Sequence, residues 1–284
     1  MTSRTLSEID DEQYQYLPTL DNVFQDGLET GSPTPTHCLK YKIKVHQLRR
    51  RWHREYYNND DPTALQPLRD DSAAALREAR AFDPIAWARD RKPEYENMNL
   101  RRADKVGQLP MLVEAIQTGP TMDDWVDFGV VFRLAGIIYG IRTTIIDHRT
   151  PDWPDQDWLI TQGLDPLESP ESMCESTYRS LTTVLRRLGE KAQRGRDWPW
   201  RFAFWPLFVA GMESACSGFG VEDRSWITES MYAIGQRQAD FSLLDCADFF
   251  RMVWDSQPHT RSGGGGRKWD DVISIIDGKA LFFV

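Results

Sequence analysis

Three polar residues could supply acid–base or hydrogen-bonding groups to a buried pocket, because each stands within or beside a long apolar run: Glu213, Arg142 and His148. Large aromatic side chains in the same part of the chain could form the walls of that pocket: Tyr139, Trp205, Phe208 and Trp254. Cyclisations and other pericyclic reactions need such a shape with a few hydrogen-bond donors, and they need neither a nucleophile nor a cofactor. In the alternative interpretation, which we favour, the aromatic residues fill helix interfaces and Glu213 pairs with a buried arginine.

Aspartates could bind metal ions at two places. The segment DDWVD holds Asp123, Asp124 and Asp127 at the spacing with which terpene and prenyl synthases bind magnesium and a diphosphate. In those enzymes the aspartates follow the apolar part of a helix, whereas here the apolar run comes after them, which predicts that they lie in a first helical turn. The proline-rich segment 147–157, DHRTPDWPDQD, is typical of a polar loop. We therefore predict no metal site and no cofactor.

The other reactive residues form no catalytic pattern. Cys38, Cys174, Cys216 and Cys246 are far apart in the sequence and include no C-x-x-C pair, so they predict reduced core residues rather than a zinc site. The segment SGFG lacks the G-x-S-x-G pattern of a nucleophile elbow, and GGGGRKW lacks the Lys-Ser/Thr pair of a phosphate-binding P-loop. Nucleophilic catalysis therefore has no support in the sequence.

Helical periodicity dominates from Lys40 onward and predicts an all-α, single-domain protein over residues 40–284. The segment KYKIKV alternates like a short strand, and the residues after it have one apolar helical face. The run 122–146 is apolar nearly all round, which predicts a central buried helix. Residues 1–39 carry seven acidic residues and one arginine, a net charge of −6, and are predicted to be a disordered acidic segment.

Local signals predict where several helices begin. Ser72, Asp83 and Ser169 are predicted N-cap residues, and Asp83 and Ser169 each precede a proline at the first helical position. Pro206 is expected either to start or to kink its helix, and Gly211 is expected to permit close helix packing.

Charge argues against a protein that binds DNA by electrostatics, since the formal net charge is −9. Segment 40–57 is an exception, with seven basic residues against one glutamate. Arg49, Arg50, His53 and Arg54 form its predicted polar helix face, for which a solvated surface is favoured over a nuclear-import or nucleic-acid patch. The polar, acidic start predicts an intracellular protein.

Two apolar stretches were weighed as membrane spans. Phe202–Met212 has about half of the roughly 20 residues required, and it contains Pro206. Trp125–Ile146 is longer but carries three charged residues that are unfavourable in lipid: Asp127, Arg133 and Arg142. We predict that both are core helices and that the chain has no membrane partner.

The order of several motifs resembles the fungal-specific transcription factor domain. FWPLFVAGMESA, EDRSWITESMYAIG and DFFRMVW follow one another between residues 204 and 254, as do the Trp-Pro-Leu-Phe, acidic-Arg-x-Trp-Ile and Val-Trp helices of that family. FDPIAWA, FRLAGIIYGIR and KALFFV resemble its flanking segments, so the resemblance covers about residues 65–284 and is strongest over residues 205–254. In that family the domain is the all-helical regulatory region behind a six-cysteine zinc cluster that binds DNA. Four separated cysteines cannot build that cluster.

Two functions remain open. The resemblance implies a transcription-factor-like regulatory protein without its own DNA-binding domain, acting in the nucleus through protein partners or a small effector and serving a fungal biosynthetic pathway. The alternative is a cofactor-free cytoplasmic enzyme of fungal secondary metabolism, of the cyclase, isomerase or pericyclase type, with its substrate in the helical core. We expect the first and predict that the chain does not bind DNA sequence-specifically.

Overall fold

The structure is a computed structural model that describes residues 33–56, 65–106, 120–147, 169–196, 198–217, 219–238, 241–255 and 268–274. Within these residues every regular element is helical, which confirms the all-α prediction. Ten α-helices follow in chain order: α1 (Thr36–Tyr56), α2 (Gln66–Ala81), α3 (Pro84–Val106), α4 (Met122–Ile141), α5 (Pro170–Gln193), α6 (Trp198–Arg201), α7 (Phe204–Cys216), α8 (Arg224–Gln238), α9 (Phe241–Asp255) and α10 (Trp269–Ser274). A π-helical turn, Arg142–Ile146, continues α4, and a 3-10 turn, Val221–Asp223, precedes α8.

Helix α4 is the centre of the fold, as its apolar sequence predicts. It packs against α1, α2, α3, α5 and α7, and most of its residues are buried. By length and composition, Met122–Ile146 is the one stretch of the described residues that could cross a membrane, but 78% of its most apolar window is buried against the rest of the protein. Burial of this kind is what a core helix shows.

Side-chain caps fix the starts of three helices. Thr121 and Asp124 form a capping box at α4, and the Ser169 hydroxyl accepts the Ser172 N–H at 3.1 Å. At α3 the Asp83 carboxylate accepts the N–H groups of Ile85 and Ala86. The predicted caps at Asp83 and Ser169 are therefore confirmed, because a cap needs only residues that are near in sequence.

Three local predictions were wrong. The segment 1–39 was predicted to be disordered, but its last residues, 36–39, begin α1, and Cys38 among them is buried in the core; residues 1–32 lie outside the described residues. KYKIKV is not a strand but lies inside α1, where the buried side chains Tyr41, Val45, Leu48 and Trp52 repeat with helical spacing and outweigh the short alternation. Ser72 is not a cap but lies inside α2. Its hydroxyl donates to the Leu68 carbonyl at 2.7 Å and accepts the indole N–H of Trp52 at 3.0 Å, so it joins α1 to α2.

The motif block 204–254 forms α7, α8 and α9, which pack on one another. Pro206 lies in the first turn of α7 and therefore starts the helix rather than kinking it. Gly211 faces α9, where an added Cβ would stand 2.5 Å from the Phe250 ring, so only glycine permits this approach.

Candidate functional site

Arg142 and Glu213 form a closed, buried ion pair. The π-helical turn begins with Arg142, and Glu213 lies in α7. Nε of Arg142 donates to Oε2 of Glu213 at 3.0 Å, and the terminal guanidinium nitrogen donates to Oε1. The two side chains are 5% and 0% exposed. Burial alone lowers the pKa of Arg142, but the hydrogen bonds and the charge of Glu213 raise it overall above its ordinary value.

Asp147 ends the π-helical turn and extends the buried polar cluster. Its backbone N–H donates to the Arg142 carbonyl at 3.0 Å, and its Oδ2 accepts the backbone N–H of Trp269 at 3.1 Å, which joins α4 to α10. Burial raises the pKa of Asp147 to about 6, although the charge of Arg142 opposes this shift. The third polar candidate, His148, lies outside the described residues.

The four predicted aromatic wall residues are linked by ring contacts, and these contacts use two rings that sequence reasoning did not select. Trp269 of α10 lies 5.2 Å from the Tyr139 ring and 6.3 Å from the Phe208 ring, measured between centroids. Trp205 lies 6.3 Å from Tyr139. Trp254 stacks on Phe250, and the Phe250 ring in turn contacts Phe208. These rings therefore pack on each other across helix interfaces, as the favoured interpretation expects.

Helix α1 adds two nitrogen groups to the outer side of this aromatic cluster. The ammonium of Lys42 stands 5.3 Å from the centre of the Trp205 ring, and Nδ1 of His46 lies 3.4 Å from the Tyr139 hydroxyl. Burial lowers the pKa of Lys42 to about 8. Burial, together with the positive charges of Arg49 and other basic neighbours, lowers the pKa of His46 to about 4. Sequence reasoning missed both residues, although they lie one turn apart beside the apolar face of α1.

Two of the three DDWVD aspartates, Asp124 and Asp127, are neutralised by cations from α5 and the turn after it. Asp127 accepts hydrogen bonds from Arg187 and from Lys191, the latter at 2.9 Å. Asp124 pairs with Lys191 at 2.9 Å and with Arg196, while its carboxylate also accepts the Thr121 N–H of the capping box at 2.8 Å. Asp123 and Asp124 lie in the first turn of α4, as predicted, whereas Asp127 lies one turn later, which corrects the prediction for that residue. The ion pairs of Asp124 and Asp127 join α5 to α4.

The predicted polar face of α1 is not one exposed surface. Arg49 is only 5% exposed, whereas Arg54 is exposed. Neighbouring basic residues pair with acids of α2: Lys44 with Glu78 at 2.6 Å, and Arg51 with Asp71 at 2.8 Å. The acidic residues of α2 therefore neutralise part of the basic segment.

The four cysteines are buried and form no disulfide bond, as predicted for core residues. Burial raises the pKa of the Cys38 thiol to about 12 and moves those of Cys174 and Cys216 well above the ordinary value. Thiols of this kind are poor nucleophiles.

An open cleft of about 440 Å³ lies between α5, α6 and α8, away from the buried cluster. Trp200 and Trp226 contribute its aromatic surface, with ring centres 6.2 Å apart. The Arg186 guanidinium stacks over the Trp226 ring at 4.4 Å. The remaining lining residues have small, polar or charged side chains: Gly189, Glu190, Ala192, Gln193, Glu229, Ser230, Ala233 and Arg237. Sequence reasoning did not identify this cleft, because its two tryptophans belong to separate helices.

Comparisons of the chain with protein-family models, with curated proteins and with solved structures found no match. The likeness to the fungal-specific transcription factor domain therefore remains a likeness of motifs, carried by α7, α8 and α9.

Proposed function

We propose that this chain is a transcription-factor-like regulatory protein without its own DNA-binding domain, acting in the nucleus of a fungal cell through protein partners or a small effector. The order of the motifs between residues 204 and 254 supports the regulatory role. The four separated, buried cysteines support the absence of a zinc cluster from this chain. Regulation of a biosynthetic pathway is part of the same proposal.

The observation that carries the proposal is the environment of Glu213, one of the three candidate catalytic residues in the sequence. A general acid or base must come within hydrogen-bonding distance of its substrate. The Glu213 side chain is 0% exposed, and both of its oxygens accept hydrogen bonds from Arg142. A carboxylate held in this way links α7 to the π-helical turn, and its burial keeps it out of contact with a substrate in solution.

The cleft between α5, α6 and α8 is the place we assign to a small effector. Its volume of about 440 Å³ lies within the range of small-molecule sites. Aromatic surface from Trp200 and Trp226 would contact the apolar part of an effector, and the charged rim residues would contact its polar groups. Helix α8 belongs to the motif block, so occupancy of the cleft would act directly on the regulatory helices.

The second candidate is a cofactor-free cyclase or isomerase, and one observation favours it. π-Helical turns occur frequently at functional sites, and here such a turn separates Tyr139 from the buried carboxyl group of Asp147. An uncharged Asp147 would then serve as a proton donor in an apolar core.

Deletion of the gene separates the two candidates. If the chain is a regulator, the transcript levels of a defined set of genes fall or rise in the deletion strain and recover when the wild-type gene is restored. Unchanged transcripts together with accumulation of one uncyclised intermediate would contradict the regulator and support the enzyme. Asp147→Asn is the matched variant, because it removes the proton donor and retains the size of the side chain.

A further inference from the structure

The cleft between α5, α6 and α8 has a carboxylate on each of its two long walls. The lining residues of α5 recur at intervals of three or four positions, and so do those of α8, so each helix presents one face to the cleft. Glu190 lies on the α5 face and Glu229 on the α8 face, and both side chains are exposed. A molecule that enters the cleft can therefore reach both carboxylates.

The arginine closest to Glu190 along α5 is neutralised by another residue. Arg186 precedes Glu190 by four positions, which is the spacing at which the two could pair on a helix surface. Its guanidinium instead pairs with Asp223 and stacks over the Trp226 ring at 4.4 Å. Glu190 is therefore left without the ion pair that its position in α5 would permit.

Neither carboxylate of the cleft has a cationic partner among the residues that the structure describes. Glu229 accepts a hydrogen bond from the Ser225 hydroxyl at 3.3 Å, and no ion pair joins it or Glu190 to this part of the chain. Arg237 also lines the cleft, but it lies eight positions after Glu229, about 12 Å farther along the helix axis. The end of the cleft that holds Trp226 and Glu229 is therefore negative.

The aromatic surface at this end also favours a positive charge. Trp226 is partly exposed and precedes Glu229 by three positions, which places both on one face of α8. The Trp200 ring lies 6.2 Å from the Trp226 ring and is inclined to it by 44°. The face of a tryptophan ring attracts cations, and Arg186 already uses Trp226 in this way. An anion in the same place would be repelled by both carboxylates.

We propose that this cleft binds a small organic cation, namely a protonated amine or a quaternary ammonium group carried on an apolar or aromatic body. Glu190 and Glu229 attract the cationic group, and the two tryptophans contact the body. A cleft of about 440 Å³ suits a small molecule of this kind. The inference rests on the proposed function, because it takes the cleft as the effector site and names the chemical class of the effector.

Three probes that share a phenyl group separate charge from shape: benzyltrimethylammonium is cationic, benzyl alcohol is neutral and benzoate is anionic. Each is titrated into the purified full chain at pH 7, and binding is followed by the NMR signals of the indole N–H groups. Comparison with Trp226→Phe identifies the signal of Trp226. We expect benzyltrimethylammonium to shift this signal and to bind at least about fivefold more tightly than benzyl alcohol, with benzoate the weakest of the three.

Variants that remove one negative charge locate the site. Glu190→Gln and Glu229→Gln are each expected to weaken binding of benzyltrimethylammonium several-fold and to leave that of benzyl alcohol unchanged. Glu222→Gln is the matched control, because it removes the same charge at an exposed position outside the cleft. Circular dichroism checks that all three variants fold. Equal binding of the cation and benzyl alcohol overturns the proposal, as does an equal loss in Glu222→Gln, which indicates general attraction to an acidic chain.

Failure of this inference is distinguishable from failure of the proposed function, because the titration uses the purified chain and involves no transcription. Selective binding of the cation together with unchanged transcripts in the deletion strain contradicts only the regulatory role. Altered transcripts together with no preference for the cation leave the regulatory role in place and contradict only the assignment of a cationic effector to this cleft.

Discussion

Replacing Glu213 by alanine is expected to destabilise the protein severely. The variant leaves the Arg142 guanidinium, which is 5% exposed, without the carboxylate that accepts two of its hydrogen bonds. Removal of one partner of a buried ion pair raises the free energy of the folded state by about 3–5 kcal/mol. The total stability of a protein is about 5–15 kcal/mol, so the loss is a large fraction of it. Urea unfolding followed by circular dichroism at pH 7 measures the change.

The double variant Arg142→Met/Glu213→Leu separates the cost of an unpaired buried charge from the cost of lost side-chain packing. Apolar replacement of both partners removes the uncompensated charge, and such replacements are often neutral or stabilising. We expect the double variant to be more stable than Glu213→Ala by about 2 kcal/mol or more, because it leaves no unpaired buried charge. Glu190→Ala, at an exposed site on α5, is the control and is expected to change stability by less than about 0.5 kcal/mol. Glu213→Ala within about 1 kcal/mol of wild type, or a double variant no more stable than the single one, would refute the structural role of the pair.

Three further predictions concern packing, pH and DNA. Gly211→Ala is expected to destabilise by about 1–3 kcal/mol, because its Cβ meets the Phe250 ring at 2.5 Å. Gly189→Ala, whose nearest neighbour would be at an ordinary 3.4 Å, is expected to be neutral or stabilising by up to about 1 kcal/mol; equal effects in urea titrations would contradict this. The folded-state pKa of Asp147 is about 6, above its ordinary value of 3.8, so wild type loses stability as pH rises through this range. Over the same range the free energy of unfolding of Asp147→Asn is expected to rise relative to that of wild type by up to about 3 kcal/mol. His46 has the opposite effect: its pKa is lowered from 6.5 to about 4, so wild type loses stability as pH falls through this range. The test is therefore the difference in the free energy of unfolding between wild type and each single variant as a function of pH. A difference that does not change with pH would refute the prediction. Finally, the chain is expected to show only weak DNA retention that disappears with salt, and tight, sequence-dependent retention in a binding assay at physiological salt would contradict this.

Features that depend on near neighbours were predictable from the sequence. The caps at Asp83 and Ser169 and the buried central helix follow from side-chain chemistry and hydrophobic period within a few residues. The strand assigned to KYKIKV failed because six alternating residues were considered without the longer helical period around them.

Features that depend on distant segments were only partly predictable. Arginine pairing with Glu213 was expected from the cost of a buried charge, and Arg142 is 71 positions away. The approach of Lys42 to Trp205 and of Trp269 to Tyr139 depends on how α1 and α10 pack on α4 and α7, which no local pattern encodes. The π-helical turn likewise has no sequence signal that would have separated it from the end of α4.

Tethering the chain to a heterologous DNA-binding domain tests the regulatory role most directly, because the proposed function requires DNA binding to come from another protein. Transcription of a reporter with a moderate basal rate is measured in a fungal host, so that activation and repression are both visible. The account predicts a several-fold change with the full chain and its loss with Glu213→Ala, while segment 1–32 alone serves as the control for its acidic charge. A reporter rate equal to that of the DNA-binding domain alone, with the fusion protein folded and present in the nucleus, would contradict the proposed function.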